Sequence, residues 1–364
     1  MDNRLNEYLP IPEDNNGAAA TAENLGKQIE TRRFDIHNQP PIQPARYRVA
    51  GVPICTTGNL SAITAGIKSG KSSWIAAMVA AVMPAGQSMV DCLGITSTNP
   101  ERLALIHIDT EQSIGDHWQL VNRSVKRAGL DEPPQWLMSY AFKGFTAHQL
   151  REALNLVIDE AKVRHGGIHS VILDGTADFV LDVNDPSETN PFIASLETLA
   201  VVNNCPIVNV IHFNPNSDKT RGHLGSQLER KAETNLRLDK DGETITVWSD
   251  KNRQAPILKS AGPCFMWSDE HMMHVSIARP EAAERRAKNL DDLVALVPLT
   301  GAIPQTVLFE KARTASIGEK KSRAFLDELV SNGRLHFWLV KRPGTNPEKR
   351  ISRHPQAEPT LAIE

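Results

Sequence analysis

The sequence has no long apolar run, no paired cysteines and no strong charge of one sign. Its longest apolar stretch, Trp74 to Met83, falls far short of the roughly 20 residues that a membrane-spanning helix requires. The opening residues, MDNRLNEYLPIPEDNNG, are acidic and polar and lack the apolar core of a secretory signal. Membrane insertion and secretion are thereby set aside, and a cytoplasmic location is expected. Cys55, Cys92, Cys205 and Cys264 stand singly with no C-x-x-C pair, which argues against a zinc site and against a disulfide framework. His165 and His169 in HGGIH could share a metal in principle, but no third ligand lies nearby and a plain loop is the simpler reading. The net charge is −3, and no internal repeat is visible.

What is present divides into regions. A chain of 364 residues is long enough for about two domains. Residues 1–46 are polar and punctuated by proline (PIPEDNN, NQPPIQP) and read as a flexible arm. Residues 47–280 alternate apolar strand-like runs with helical patterns, the signature of a mostly parallel sheet flanked by helices. A charged helical linker over 281–288 then leads to a compact basic region, 289–354, and a tail, 355–364.

The densest signal is AGIKSGKSSW, residues 65–74. A glycine-containing turn lets backbone N–H groups converge on an anion, and the following helix points its positive end at the same place. The pattern G-x-x-x-x-G-K-[ST] assigns the lysine to phosphate and the hydroxyl to magnesium. Here Ala65 occupies the first position, but Gly70, Lys71 and Ser72 are intact. NLSAITA (59–65) reads as the buried strand before the loop and SSWIAAMVAAVM (72–83) as the helix after it, stopped by Pro84. Gly66, Ile67, Lys68, Ser69, Gly70, Lys71, Ser72 and Ser73 are therefore the candidate nucleotide-binding residues.

Three further apolar runs end in polar residues: LALIHIDTEQS in Asp109 and Glu111, HSVILDGTADF in Asp174, and CPIVNVIHFNP in His212. Ligands of open α/β sheets sit beyond the carboxyl ends of the strands, so these ends are expected to converge on the loop. Asp174 suits a carboxylate that holds magnesium beside Ser72, Glu111 a general base that activates water, and His212 a sensor of the terminal phosphate. Asp178, Asp182 and Asp185 follow the Asp174 strand and shape the edge of the site.

The order GIKSGKSS, IHIDTEQS, VILDG, VIHFN resembles RecA-like P-loop ATPases, particularly the branch with DnaB-type replicative helicases, plasmid RepA helicases and the RadA/KaiC proteins. In that branch the catalytic glutamate follows the strand after the P-loop helix, where Glu111 lies. The resemblance covers about residues 47–260. It implies a RecA-like sheet, with ATP and Mg2+ as ligands. KTRGHLGSQLERKAETNLRL (219–238) is similar to the channel-facing segment of RepA-like ATPases, which makes Lys219, Arg221 and His223 candidate contacts to DNA phosphate or to a neighbouring nucleotide; an exposed basic turn is the alternative. VWSDKNRQAP (247–256) resembles the K-x-R element of DnaB-type helicases, which implies that Lys251 and Arg253 reach the next subunit's γ-phosphate. Such head-to-tail contacts close into rings, and the resemblance implies a hexamer.

The basic region reads as three short helices (NLDDLVALVP, PQTVLFEKARTAS, GEKKSRAFLDELVSNG) and a hairpin (GRLHFWLVKRPGTNPEKRISRHP), a winged helix-turn-helix pattern. Residues 319–354 hold nine Lys/Arg against four Asp/Glu. Lys320, Lys321 and Arg323 on the third helix, with Lys341 and Arg342 on the wing, are candidate contacts to duplex DNA. Phe337 and Trp338 could stack on bases, or belong to the strand core. A winged helix used only for protein contacts remains the alternative. Two functions from different classes follow: an ATP-hydrolysing, ring-forming motor acting on DNA for a plasmid, phage or integrated element, or a nucleotide-gated DNA-binding regulator or loader. A small-molecule kinase is disfavoured, because it calls for a lid and an acceptor pocket rather than K-x-R and a winged helix.

Overall fold

The computed structural model describes residues 18–66, 68–86, 89–213, 220–279, 282–340 and 347–355. The described residues fall into two compact units: the first runs to Asp239 and resumes over Thr246–Ser276, and the second comprises Lys240–Ile245 and the chain from Ile277 onward.

The first unit opens with helix α1 (Ala18–Thr31), followed by strands β1 (Ala45–Val49), β2 (Val52–Thr56) and β3 (Leu60–Ala65). Helix α2 (Lys71–Val82), strands β4 (Ile95–Ser97) and β5 (Ala104–Asp109), helix α3 (Ile114–Arg127) and strand β6 (Leu137–Ala141) come next. Helix α4 (Ala147–His165) leads to β7 (Ile168–Asp174), a 3-10 turn (Thr176–Phe179), α5 (Pro186–Val202), β8 (Ile207–His212) and α6 (Gly222–Lys231). Strands β9 (Thr234–Asp241), β10 (Thr244–Asn252), β11 (Cys264–Ser268) and β12 (Met273–Ile277) complete the main sheet.

Nine strands form that sheet in the order β12-β11-β10-β9-β3-β8-β7-β5-β6. The six from β9 to β6 pair in parallel throughout. Strands β3, β5 and β7 are buried along their whole length, as expected of parallel strands covered on both faces. Leu150, Leu154 and Ile158 of α4 and Phe192, Ile193 and Leu196 of α5 pack on them in one core. The expected fold class, a mostly parallel sheet flanked by helices, is present. Register decides where the functional ends fall: Asp109 of β5 lies opposite Asp174 of β7, and Ala65 of β3 opposite His212 of β8.

The second unit contains α7 (Ala282–Ala295), β13 (Ala302–Pro304), α8 (Gln305–Thr314), α9 (Glu319–Ser331), β14 (His336–Val340) and β15 (Glu348–Ser352). Its strands form an antiparallel sheet in the order β13-β15-β14. Leu293, Leu308, Leu329, Leu335 and Ile351 form a core of its own.

Several local expectations change. The stretch read as an arm contains α1, because the prolines are confined to its flanks and AAATAENLGKQIET is rich in good helix formers. Strand β1 begins at Ala45, inside the region assigned to that arm. The linker, expected to be helical, is so from residue 282, and it runs without a break into the expected first helix of the basic region as α7. His165 closes α4 and His169 is buried within β7, so HGGIH is a helix-to-strand junction. No cluster of metal-ligating side chains occurs among the described residues, and none of their helices is long and apolar enough to cross a membrane.

Candidate active site

The loop between β3 and α2 is shaped by backbone conformation. Gly70 caps α2 with φ of 80°, a left-handed geometry that costs glycine nothing. Lys68 also takes a positive φ, 58°, and the Ser69 hydroxyl donates to the Gly66 carbonyl at 2.6 Å. Lys71 is therefore the first residue of α2, with its side chain buried against the sheet ends. Ile67 lies outside the described residues.

Lys71, Glu111, His212 and Asp174 meet. Lys71 Nζ donates to Glu111 Oε2 at 2.9 Å, lies 2.8 Å from His212 Nε2, and is 3.7 Å from Asp174 Oδ1. His212 Nε2 is also 3.0 Å from Glu111 Oε1. Burial opposes the charge on Glu111, but the His212 hydrogen bond and the Lys71 ammonium outweigh it and hold the carboxyl down to about 2. Asp174 behaves in the opposite way. Burial pushes it up to about 6, despite Lys71 nearby and with Asp109 and Glu111 adding repulsion.

Asp174 Oδ1 is buried and has no hydrogen-bond partner. A buried carboxylate oxygen without a hydrogen bond is costly, and a divalent cation beside it would supply a ligand in its place. The residues present thus fit Mg2+ at Asp174, with the exposed hydroxyl of Ser72 close to the same helix start. Ser72 and Ser73 also line a cavity of about 220 Å³ with Gln112, Gln119, Arg123 and Trp267. The Ser73 hydroxyl lies 2.8 Å from His274 Nδ1.

Asp109 has a position that residue-by-residue reasoning did not assign. It is fully buried, and its Oδ1 accepts the backbone N–H groups of Glu111 and Gln112, both at 3.0 Å. The signal was legible in IDTEQ, since an aspartate commonly accepts the N–H two residues on. Of the three acidic residues after β7, Asp178 accepts from Thr110 Oγ1 at 2.7 Å, Asp182 accepts from the Asn184 N–H, and Asp185 caps α5 through the Ser187 N–H. Only Asp178 touches the β5 end.

The proposed trans-acting pair lies elsewhere in the first unit. Lys251 Nζ donates to the carbonyls of Glu229 (3.1 Å) and Arg230 (2.8 Å), at the negative end of α6. Burial, with Arg253 and Arg230 nearby, lowers the Lys251 pKa. Arg253 is exposed and donates to Asn59 Oδ1 and the Lys231 carbonyl. Neither joins the Lys71 cluster of its own chain.

The candidate DNA contacts are dispersed. Lys219, Lys341 and Arg342 lie outside the described residues. Arg221 is exposed, and its N–H donates to the His212 carbonyl at 3.1 Å, tying this segment back to the end of β8. His223 pairs with Asn190. In the second unit Lys320 is exposed, Lys321 pairs with Asp241 at 2.9 Å, and Arg323 pairs with Glu319 at 2.6 Å while covering the Phe309 ring. Phe337 is exposed, and the Trp338 indole N–H donates to Ser352.

No protein-family model matches the chain, and no curated protein matches it. Among solved structures, the RadB recombinase is similar over 63% of this chain and 95% of its own, with 15% identity and a TM-score of 0.43.

Proposed function

We propose that the protein is an ATP-hydrolysing motor of the RepA/DnaB type that acts on DNA. The observation that carries this reading is the meeting of Lys71, Glu111, His212 and Asp174 at neighbouring strand ends beside a glycine-capped helix start. Nucleotide phosphate takes Lys71 away from Glu111. Released from the ammonium, Glu111 regains basicity and accepts a proton from the attacking water as the new O–P bond forms and the bond to the leaving ADP oxygen breaks. Mg2+ held by Ser72 and Asp174 supplies charge neutralisation on the phosphates when bound. His212 contacts the terminal phosphate and transmits its loss through the backbone link to Arg221.

Lys251 and Arg253 are exposed enough to exchange their carbonyl partners for a neighbouring subunit's nucleotide, in a head-to-tail ring that we take to be a hexamer around single-stranded DNA. The second unit acts as a winged helix that holds duplex DNA through Lys320 and the wing, in the service of a plasmid, phage or integrated element.

A nucleotide-gated regulator is the competing reading. It is favoured by the resting pairing of Glu111 with Lys71, which leaves the glutamate a weak base. ATP hydrolysis with and without single-stranded DNA, measured for wild type, Lys71→Ala and Glu111→Gln, separates the two. DNA-stimulated turnover abolished by both substitutions is the expected result. Tight ATP binding with negligible wild-type turnover would leave the regulator.

A further inference from the structure

We propose that Asp109 is a positioning residue for Glu111, fixing the glutamate's backbone through a buried relay of His117, Ser139 and His107; the proposal rests on the reading of Glu111 as the base. Glu111 lies just beyond the end of β5, in a turn that continues no sheet ladder. Asp109 Oδ1 receives the N–H groups of two residues of that turn, Glu111 and Gln112. The other carboxylate oxygen, Oδ2, lies 3.3 Å from His117 Nδ1 on α3. His117 Nε2 is 3.1 Å from the Ser139 hydroxyl on β6, and that hydroxyl is 2.9 Å from His107 Nδ1 on β5.

The Asp109 carboxylate only accepts, so His117 donates to it from Nδ1. His107 Nε2 is the one ring nitrogen of the relay that is buried without a hydrogen-bond partner. Burial, with His117 adding to it, holds the His107 pKa down to about 4, which keeps the ring neutral. The two imidazoles stack with centroids 5.4 Å apart and planes 15° from parallel.

The relay ties the Glu111 turn to two strands and a helix. Among the described residues no hydrogen bond joins Asp109 to Lys71 or to the Glu111 carboxylate. Loss of Asp109 therefore displaces the base without removing a phosphate contact, and a displacement of about 1 Å in a reacting group can cost on the order of 100-fold in rate. The signature is a fall in kcat with nucleotide affinity preserved.

The test combines amide hydrogen exchange at Glu111 and Gln112 with ATP binding and turnover in wild type, Asp109→Ala, Asp109→Asn and, as reference, Glu111→Gln. Asp109→Ala is expected to accelerate exchange of both amides by at least ~10-fold and to lower kcat by roughly 10- to 100-fold, with Kd changed less than about threefold. Asp109→Asn recovers most of the protection, because one oxygen still accepts both N–H groups. Unchanged exchange in Asp109→Ala, or a Kd that rises in step with the loss of kcat, overturns the proposal. If Glu111→Gln turns over like wild type while Asp109→Ala still loses amide protection, the base assignment fails and the positioning role stands. Should Asp109→Ala not fold, His117→Gln serves: faster exchange at the same two amides supports the relay, and wild-type exchange refutes it.

Discussion

Replacing Asp174 by asparagine should stabilise the nucleotide-free protein at neutral pH while disabling its site. Asp174 is 2% exposed, one of its oxygens has no hydrogen-bond partner, and its pKa is pushed from 3.8 to about 6. A group whose folded pKa is raised favours folding below its unfolded value and loses that contribution as pH rises through the folded one. The window here runs from about 4 to about 6. At pH 7.5 the charge is fully present, and a shift of about two units corresponds to roughly 3 kcal/mol of cost. Asparagine removes the charge but also removes the partner 3.7 Å from Lys71, and its amide needs an acceptor. Halving the figure leaves an expected gain of about 1–2 kcal/mol, or a melting increase of roughly 2–4 °C. Urea unfolding of wild type and Asp174→Asn at pH 7.5 and pH 4, in chelator and without nucleotide, measures it. The gap should be present at pH 7.5 and close towards pH 4. A variant that is less stable at pH 7.5, with a gap independent of pH, would refute the electrostatic account. The same substitution should abolish magnesium-dependent nucleotide binding, a trade of function against stability.

Lys71→Ala removes one of the two partners that depress the Glu111 carboxyl, so it should titrate above about 2 while the His212 hydrogen bond still holds it below 4.5, observable by carbon NMR. Because a depressed carboxylate pKa contributes stability above the unfolded value that is lost as pH falls through the folded one, the variant should be less stable than wild type at neutral pH, with the gap closing as pH falls from about 4.5 to 2. Losing a charge-assisted phosphate contact of about 1.5–3 kcal/mol should weaken nucleotide binding roughly 10- to 150-fold by calorimetry. Gly175 sits at φ of 111°, and a Cβ there would stand 2.0 Å from Thr110 Oγ1. Gly175→Ala should therefore cost about 2–4 kcal/mol in chemical denaturation; a loss under about 0.5 kcal/mol would show that the turn after β7 relaxes freely.

The strands bearing the site could be read from the chain because parallel strands covered on both faces are continuous apolar runs, as ALIHID and IHSVILD are. The phosphate loop was legible for a similar reason: its glycine and lysine spacing is a local property of the backbone. Strand β13 was not, since three residues carry no period, and its pairing with β15 exists only in the folded unit. Nor could the sequence reveal that Lys321, read as a candidate DNA contact, pairs with Asp241, 80 positions away; the Glu319–Arg323 pair, four residues apart on one helix, was within its reach.

Sequence alone thus determined which residue types stand at the ends of β3, β5, β7 and β8, because hydrophobic period and turn chemistry act over a few positions. Tertiary structure decided their partners. Lys71 and His212 are 141 positions apart, and it is the ladder register placing Ala65 beside His212 and Asp109 beside Asp174 that brings them within hydrogen-bond distance. The difference in basicity between Glu111 and Asp174 likewise comes from the deeper burial of Asp174 and from the His212 hydrogen bond and Lys71 ammonium that hold Glu111 down, quantities that arise only when distant strands pack.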